Sequence, residues 1–333
     1  MSNLKKLISN ITSGRVYIQT HNFPDPDAIS SAFGLQALLQ MHGINATICY
    51  KGQIDRHNTR KMMELFDIKA INVDRLGDLP ADSQIILIDA QKNSGNVYDL
   101  LCDKVMSIDH HPVVQNYDYI YSDIREKVGA CASIVASYYF ENDIQMPREV
   151  ATALLYGIKV DTAQLTRGVN ELDLEMFTKM FFMANVKDMN ELESSTIEIE
   201  DLQAYGNAIS SIELEGLVSF ANTGRDCPEA LIAEIADFMV AIKDVCMSVV
   251  YSVRTEGIKI SIRTDKKSGC NAGQIIVEAL DGIGTGGGHE RMAGGYISLR
   301  NRIESLDTLL EIVRENFKRV VAEHLGKIKE VAV

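Results

Sequence analysis

The chain is predicted to be an α/β protein: an N-terminal domain on a doubly wound, mostly parallel sheet, then a smaller C-terminal α/β domain. Three observations predict it. Runs of β-branched and aliphatic residues alternate with amphipathic helical stretches through the first half of the sequence. The run Gln84-Ile85-Ile86-Leu87-Ile88 is apolar at four consecutive positions, as a central parallel strand covered on both faces should be. An acidic, helical stretch without strand signal then separates this part from a second group of strands. Alternating strands and helices build a parallel sheet whose ligands lie outside the carboxyl ends of the strands. With 333 residues, 46% of them apolar, the chain can bury two cores.

A short amphipathic helix is expected from about Asn3 to Ile11, then a buried strand over Arg15 to Thr20. The segment His21-Asn22-Phe23-Pro24-Asp25-Pro26-Asp27 should be a strand-to-helix loop, because its prolines exclude regular helix before Asp27. Asp27 could cap the apolar helix running to about His42. Strands follow at Ala46 to Tyr50, Gln84 to Asp89 and Lys104 to Asp109, with helices near Asn58 to Phe66, Asn96 to Leu101, Ala130 to Phe140 and Arg148 to Lys159. Val160-Asp161-Thr162 breaks the last of these.

The stretch from about Phe177 to Ser211, with Glu191, Glu193, Glu198, Glu200 and Asp201, reads as solvated helix connecting two domains. The division is a catalytic domain over 1–185, a connector over 186–213 and a substrate-binding domain over 214–333. In the last, strands are expected at Leu217 to Phe220, Cys246 to Arg254 and Gly257 to Arg263, the final two joined by a tight turn at Glu256-Gly257. Helices at about Pro228 to Val240, Asn271 to Leu280 and Ile303 to Leu325 surround them. Gly282 to His289 is a glycine-dense loop; it lacks the Gly-Lys-Ser/Thr ending of a phosphate-binding loop and a strand leading directly into it.

The chemistry gathers at strand ends. His21, Asp25, Asp27, Asp89, His110, His111 and Asp161 fall on one predicted rim. So many carboxylates and imidazoles suit two metals about 3.5 to 4 Å apart, with a carboxylate bridging them. Mixed oxygen and imidazole donors favour manganese over calcium, which takes oxygen alone, and over structural zinc, which favours sulfur. The six scattered cysteines form no CxxC pair, which argues against a zinc knuckle or disulfide framework and suits a reducing compartment.

These motifs resemble a known family. His-x-x-Pro-Asp-x-Asp-Ala, an isolated aspartate at a strand end, Asp109-His110-His111, a later aspartate, and a small domain with Gly-Gly-Gly-His resemble, in that order, the DHH/DHHA1 phosphoesterases. That family includes nanoRNase/pAp phosphatases, cyclic dinucleotide phosphodiesterases and RecJ exonucleases. The resemblance runs from about Val16 to Tyr296. It implies a DHH domain, a DHHA1 domain and an active site in the cleft between them.

By the same resemblance, His21 and Asp25 would bind one cation, Asp27, His110 and Asp161 another, and Asp89 would bridge. The cations would be manganese, with magnesium as the alternative, and water between them the nucleophile. Asp109 would orient imidazoles, and His111 would face the substrate, binding its phosphate or protonating the leaving oxygen. Arg263 would grip a terminal phosphate with its fork; Gly286, Gly287, Gly288 and His289 would approach a phosphate closely. After His289 the chain reads Glu290-Arg291-Met292-Ala293 where members often have Ala-Ala-Gly, a departure on the substrate side.

The expected activity is therefore manganese-dependent hydrolysis of short oligonucleotides or cyclic dinucleotides to mononucleotides, with pAp as a further substrate. A net charge of -13 repels long duplexes, which are held by neutralising many phosphates. No targeting segment or membrane-length apolar run is evident, so a cytoplasmic protein is expected, and a homodimer is compatible with the sequence. Two rivals are a class II inorganic pyrophosphatase, opposed by the glycine loop and the absence of a Ser-Arg-Lys-Lys run, and a nucleotide sensor without turnover.

Overall fold

The computed structural model describes residues 1–113, 115–194, 199–265, 268–300 and 302–331, the side chains of 327–331 aside. It divides into two compact units, Met1–Thr196 and Ile197–Val333. Among the described residues no helix is long and apolar enough to cross a membrane.

The first unit is built on a six-stranded parallel sheet, ordered β3-β2-β1-β4-β5-β6. Its strands are β1 (Val16–Gln19), β2 (Ala46–Tyr50), β3 (Ala70–Asn72), β4 (Gln84–Ile88), β5 (Val105–Asp109) and β6 (Tyr121–Ile124). Alternation divides the side chains. Ile18, Ile48, Ile86 and Ile108 point into the larger core with the helices, while Cys49, Ile85, Leu87 and Val105 pack on the opposite face with Leu76, Leu79 and Val97. The strand order reverses between β1 and β4, and such a switch point opens a crevice at the strands' carboxyl ends. His21 follows β1 and Asp89 follows β4 at that crevice.

The helices of this unit are α1 (Asn3–Ser9), α2 (Pro26–Met41), α3 (His57–Leu65), α4 (Cys131–Phe140), α5 (Arg148–Asp161), α6 (Glu171–Phe181) and α7 (Val186–Glu193). α2 and α5 approach closely through two glycines. A Cβ on Gly34 would stand 3.0 Å from Leu154, and one on Gly157 would stand 2.3 Å from Ser30 Oγ and 3.3 Å from the Asp27 Cα. The start of α2 therefore lies against the end of α5, which brings Asp27 and Asp161 together.

Several expectations need correction. The α2 helix begins at Pro26, not after it, because proline lacks only an N–H that a first turn leaves unpaired. Its cap is Asp25, whose carboxylate accepts from the Asp27 and Ala28 N–H groups, and Asp27 is inside the helix. No helix forms over Asn96 to Leu101: the carbonyls of Asn96, Tyr98 and Leu100 accept from Asn22, Gln19 and Lys92, and the Tyr98 carbonyl also takes the Leu100 N–H, a tighter contact than a helix makes. Asp161 is the last residue of α5, not a break in it. β3 and β6 were not anticipated.

The acidic stretch supplies α7, which packs on α3 and α5, and α8 (Asp201–Ser210), which packs on β8 (Val218–Arg225) in the second unit. Glu198 lies outside the described residues. The second unit holds a mixed sheet, β11-β12-β10-β9-β8-β7. Its other strands are β7 (Glu213–Glu215), β9 (Met247–Val253), β10 (Gly257–Thr264), β11 (Thr285–Gly288) and β12 (Met292–Ser298). α8 and α9 (Glu229–Val240) cover one face, α10 (Ala272–Ala279) and α11 (Leu306–Val331) the other.

The expected glycine loop is in part a strand. Thr285–Gly288 forms β11, an edge strand antiparallel to β12, with Gly286 opposite Gly295 and Gly287 opposite Gly294. Glycine disfavours strands, so the cause lies in packing. A Cβ on Gly286 would stand 2.9 Å from Ile276, and one on Gly295 would stand 2.5 Å from Leu280, both residues of α10 or its end. The glycines let α10 lie flat on the sheet.

Candidate metal centre

The residues expected on the rim of the first unit meet at the crevice. Donor atoms of His21, Asp25 and Asp89 lie within 4.8 Å of one another, as do those of Asp27, His110 and Asp161. Asp89 stands between the two groups: its Oδ2 is 3.6 Å from His21 Nε2 and its Oδ1 is 3.3 Å from His110 Nε2. His110 Nε2 is also 3.4 Å from Asp161 and 3.9 Å from Asp27. Asp89 sits with φ 56, a left-handed conformation costly for a non-glycine residue, at the turn leaving β4.

The imidazoles are oriented alike. His21 Nδ1 donates to the Asn22 carbonyl at 2.8 Å and His110 Nδ1 to the Val128 carbonyl at 3.0 Å. With Nδ1–H committed to a carbonyl, Nε2 is the nitrogen of each ring that faces the carboxylates, and once it gives up its proton it offers the lone pair a metal ligand needs. His111 is used differently. Its Nδ1 donates to Asp109 Oδ1 at 2.8 Å. Asp109 also accepts from the His110 N–H at 2.8 Å and from Gln91 Nε2 at 2.7 Å, so both its oxygens are taken by hydrogen bonds.

The carboxylates are held as firmly. Asp27 accepts from the N–H groups of Cys131 at 2.7 Å and Ala132 at 2.9 Å, the opening turn of α4. Asp161 ends α5, where unpaired carbonyls already concentrate negative charge. A carboxylate is unfavourable there unless a cation lies nearby.

Titration follows from this crowding. Burial alone would lower the His21 imidazole, but its hydrogen bond to Asp25 and the charges of Asp25 and Asp89 lift it to about 9. Burial likewise opposes the rise at His110, where bonding to Asp89 and the charges of Asp161, Asp89 and Asp27 carry it well above its ordinary value. Burial and the neighbouring charges of Asp89 and Asp161 push Asp27 well up, and burial first among several causes raises Asp161. Asp109 goes the other way: burial would raise it, yet the His111 bond and charge bring it to about 2. His111 is raised, burial being outweighed by Asp109 and Asp89.

A pair of divalent cations fits this donor set. Lone pairs on two imidazoles and four carboxylates converge, and buried Asp89 Oδ1 receives no well-formed hydrogen bond. His21, Asp25 and Asp89 would hold one cation; Asp27, His110, Asp161 and Asp89 the other.

The residues expected in the second unit occupy adjoining strands. Arg263 on β10 pairs with Met292 on β12, next to the Ala293 that faces Gly288 on β11. Its guanidinium is largely buried, with Nε donating to Asp237 at 2.8 Å and Nη1 to Ser261 at 3.0 Å. Gly287 has open space where a side chain would be. His289 caps the turn into β12, its N–H donating to the Met292 carbonyl at 2.7 Å and its carbonyl accepting from Gly273 at 2.9 Å.

Sequence reasoning missed Gln91, Gly157, Asp173 and the 128–132 turn. Only Asp173 had a local signal: Asn170-x-x-Asp173 has the spacing of a helix-capping pair.

Residues 15–158 match the model of the DHH family N-terminal domain, and 215–319 match that of the DHHA1 domain. The chain belongs to the DHH/DHHA1 family. It is 31% identical over 318 residues to an uncharacterized protein of Methanocaldococcus jannaschii, covering 94% of this chain and 64% of that one. The chain thus spans less than two thirds of that relative. It is 23% identical to a probable manganese-dependent inorganic pyrophosphatase of Streptococcus thermophilus, over 76% of this chain and 88% of the relative. A bifunctional oligoribonuclease and PAP phosphatase of Thermus thermophilus is 25% identical, over 92% and 91%. The fold is also that of an exopolyphosphatase-related protein of Bacteroides fragilis, with TM-score 0.71, 16% identity and 97% of each chain covered.

Proposed function

We propose that this DHH/DHHA1 protein is a manganese-dependent phosphoesterase that hydrolyses short oligonucleotides or cyclic dinucleotides to mononucleotides, with pAp as a further substrate. The observation that carries the reading is Asp89, a buried carboxylate set between two groups of metal donors. Two cations there would supply Lewis acidity, offsetting phosphate charge and making an attacking water more acidic. The chain's own residues do the rest. Asp25, Asp27 and Asp161 fix the charge of the centre, and Asp109 keeps a proton on His111 Nδ1. Proton exchange at His111 is thereby confined to Nε2, which protonates the leaving oxygen as its bond to phosphorus breaks. Arg263 and the glycines of β11 are proposed to hold a phosphate of the same substrate, Arg263 by its guanidinium and the glycines by backbone N–H groups.

The similarity to a pyrophosphatase supports a second reading, in which the substrate is inorganic pyrophosphate. A panel of pApA, longer oligonucleotides, cyclic dinucleotides, pAp and pyrophosphate, assayed with manganese, separates the two. Nucleotide turnover exceeding pyrophosphate turnover is expected, and the reverse order would establish the second reading. Undiminished activity in Asp89→Ala would remove the metal mechanism altogether.

A further inference from the structure

The turn over residues 128–132 fixes two of the donors described above. α4 begins after Ala130 with no side-chain cap, and its Cys131 and Ala132 N–H groups go to the oxygens of Asp27. The Val128 carbonyl accepts a hydrogen bond from His110 Nδ1–H. A shift of this turn would move one carboxylate and one ring of the group completed by Asp161.

The turn is anchored from α6. Asp173, 0% exposed, accepts the Gly129 N–H on Oδ2 at 2.8 Å and the Ser133 hydroxyl on Oδ1 at 2.5 Å. Gly129 leaves no room for a side chain: a Cβ there would stand 2.9 Å from the Gly168 carbonyl and 2.9 Å from Thr162 Cγ2. Thr162 directly follows Asp161, so the same contact joins the turn to the third donor. Capping of α6 explains only part of the Asp173 bonding. Asn170 Oδ1 accepts from the Asp173 N–H, and Asp173 Oδ2 accepts from the Asn170 N–H. The bonds to Gly129 and Ser133 lie outside that cap.

We propose that Asp173 is a positioning residue for the metal centre, holding the 128–132 turn so that Asp27 and His110 address the same cation as Asp161. The inference rests on the metal-centre reading. Asp173→Asn keeps the shape but loses the negative charge and one acceptor oxygen, so with its amide oxygen on Gly129 the Ser133 hydroxyl can no longer donate to it and both charge-assisted bonds are weakened.

The test is titration of metal-free protein with Mn2+, read by calorimetry, together with the visible absorption of the Co2+-loaded protein. Wild type should bind two equivalents; fewer would overturn the metal-centre reading itself and the inference with it. Asp173→Asn should weaken one equivalent by about 10- to 100-fold and alter the Co2+ bands while leaving the other equivalent near its wild-type affinity. Asn170→Ala, which loses the cap but keeps the Gly129 bond, should lower Tm without these changes. If Asp173→Asn lowers Tm yet keeps both affinities and the Co2+ spectrum, its role is helix capping alone. Should Asp173→Asn fail to fold, Ser133→Ala carries the test: a weakened equivalent is expected, and wild-type affinity for both overturns the proposal.

Discussion

Adjacent histidines look interchangeable in a sequence, but here each has a different ring nitrogen available. His110 Nδ1–H donates a hydrogen bond to a backbone carbonyl and its Nε2 faces three carboxylates; His111 Nδ1–H donates to Asp109. Removing the first ring removes a metal donor, and removing the second leaves the donors in place. His110→Ala should therefore lose bound manganese. His111→Ala should keep it and lose roughly 10²- to 10⁴-fold in turnover, the range expected for a positioned proton donor. Metal analysis beside steady-state kinetics checks this; equal metal loss in both variants would show that the roles are wrongly divided. The aspartates and histidines themselves were legible because, Asp161 at the end of α5 aside, each stands at the end of an apolar strand or on a proline-marked turn. Gln91 was not, since a glutamine two residues past Asp89 is unremarkable until the fold brings Asp109 and the His111 carbonyl to its amide.

At the scale of elements, the centre depends on how closely α5 lies on α2. Gly157 sits one turn before Asp161 and against the Asp27 backbone, so a branched side chain there must push the two helices apart. Gly157→Val should destabilise the protein by about 1–3 kcal/mol through overpacking and should also weaken metal binding. Thermal melts of the metal-free form and manganese titration measure the two effects separately; wild-type stability with intact binding would show that the helices can yield. Helices and apolar strands were read from periodicity because their burial follows the same period. β3 is too short to show a pattern, and β11 runs against residue preference, its Gly286 being required by α10. The segment expected to be helical over Asn96 to Leu101 is instead held by the distant Asn22 and Gln19, which donate to its Asn96 and Tyr98 carbonyls, and no local reading can detect that.

For the whole molecule, the proposed cations would compete with protons for the same donors. Raised imidazoles and raised carboxylates mean that the metal-free chain holds protons where cations would sit, and His21 keeps its proton up to about pH 9. Manganese should then raise Tm, by about 2.7 kcal/mol of added stability per bound cation where its concentration is a hundredfold above the Kd, and at that same concentration by progressively less as the pH falls below 9 and the Kd rises. Melts across pH with and without manganese report this; a gain independent of pH would mean that the imidazoles are not ligands.

The bond from the Cys131 N–H to Asp27 spans 104 residues of sequence, and Asp173 lies further on still. A growing chain must therefore emerge well past α6 before the centre can close, because closing so long a loop gains nothing until its partners exist. A cation held by Asp27, His110 and Asp161 could not template the early folding of this domain. On the proposed reading it would be acquired by a nearly finished unit, so its occupancy would report that the first unit has been completed.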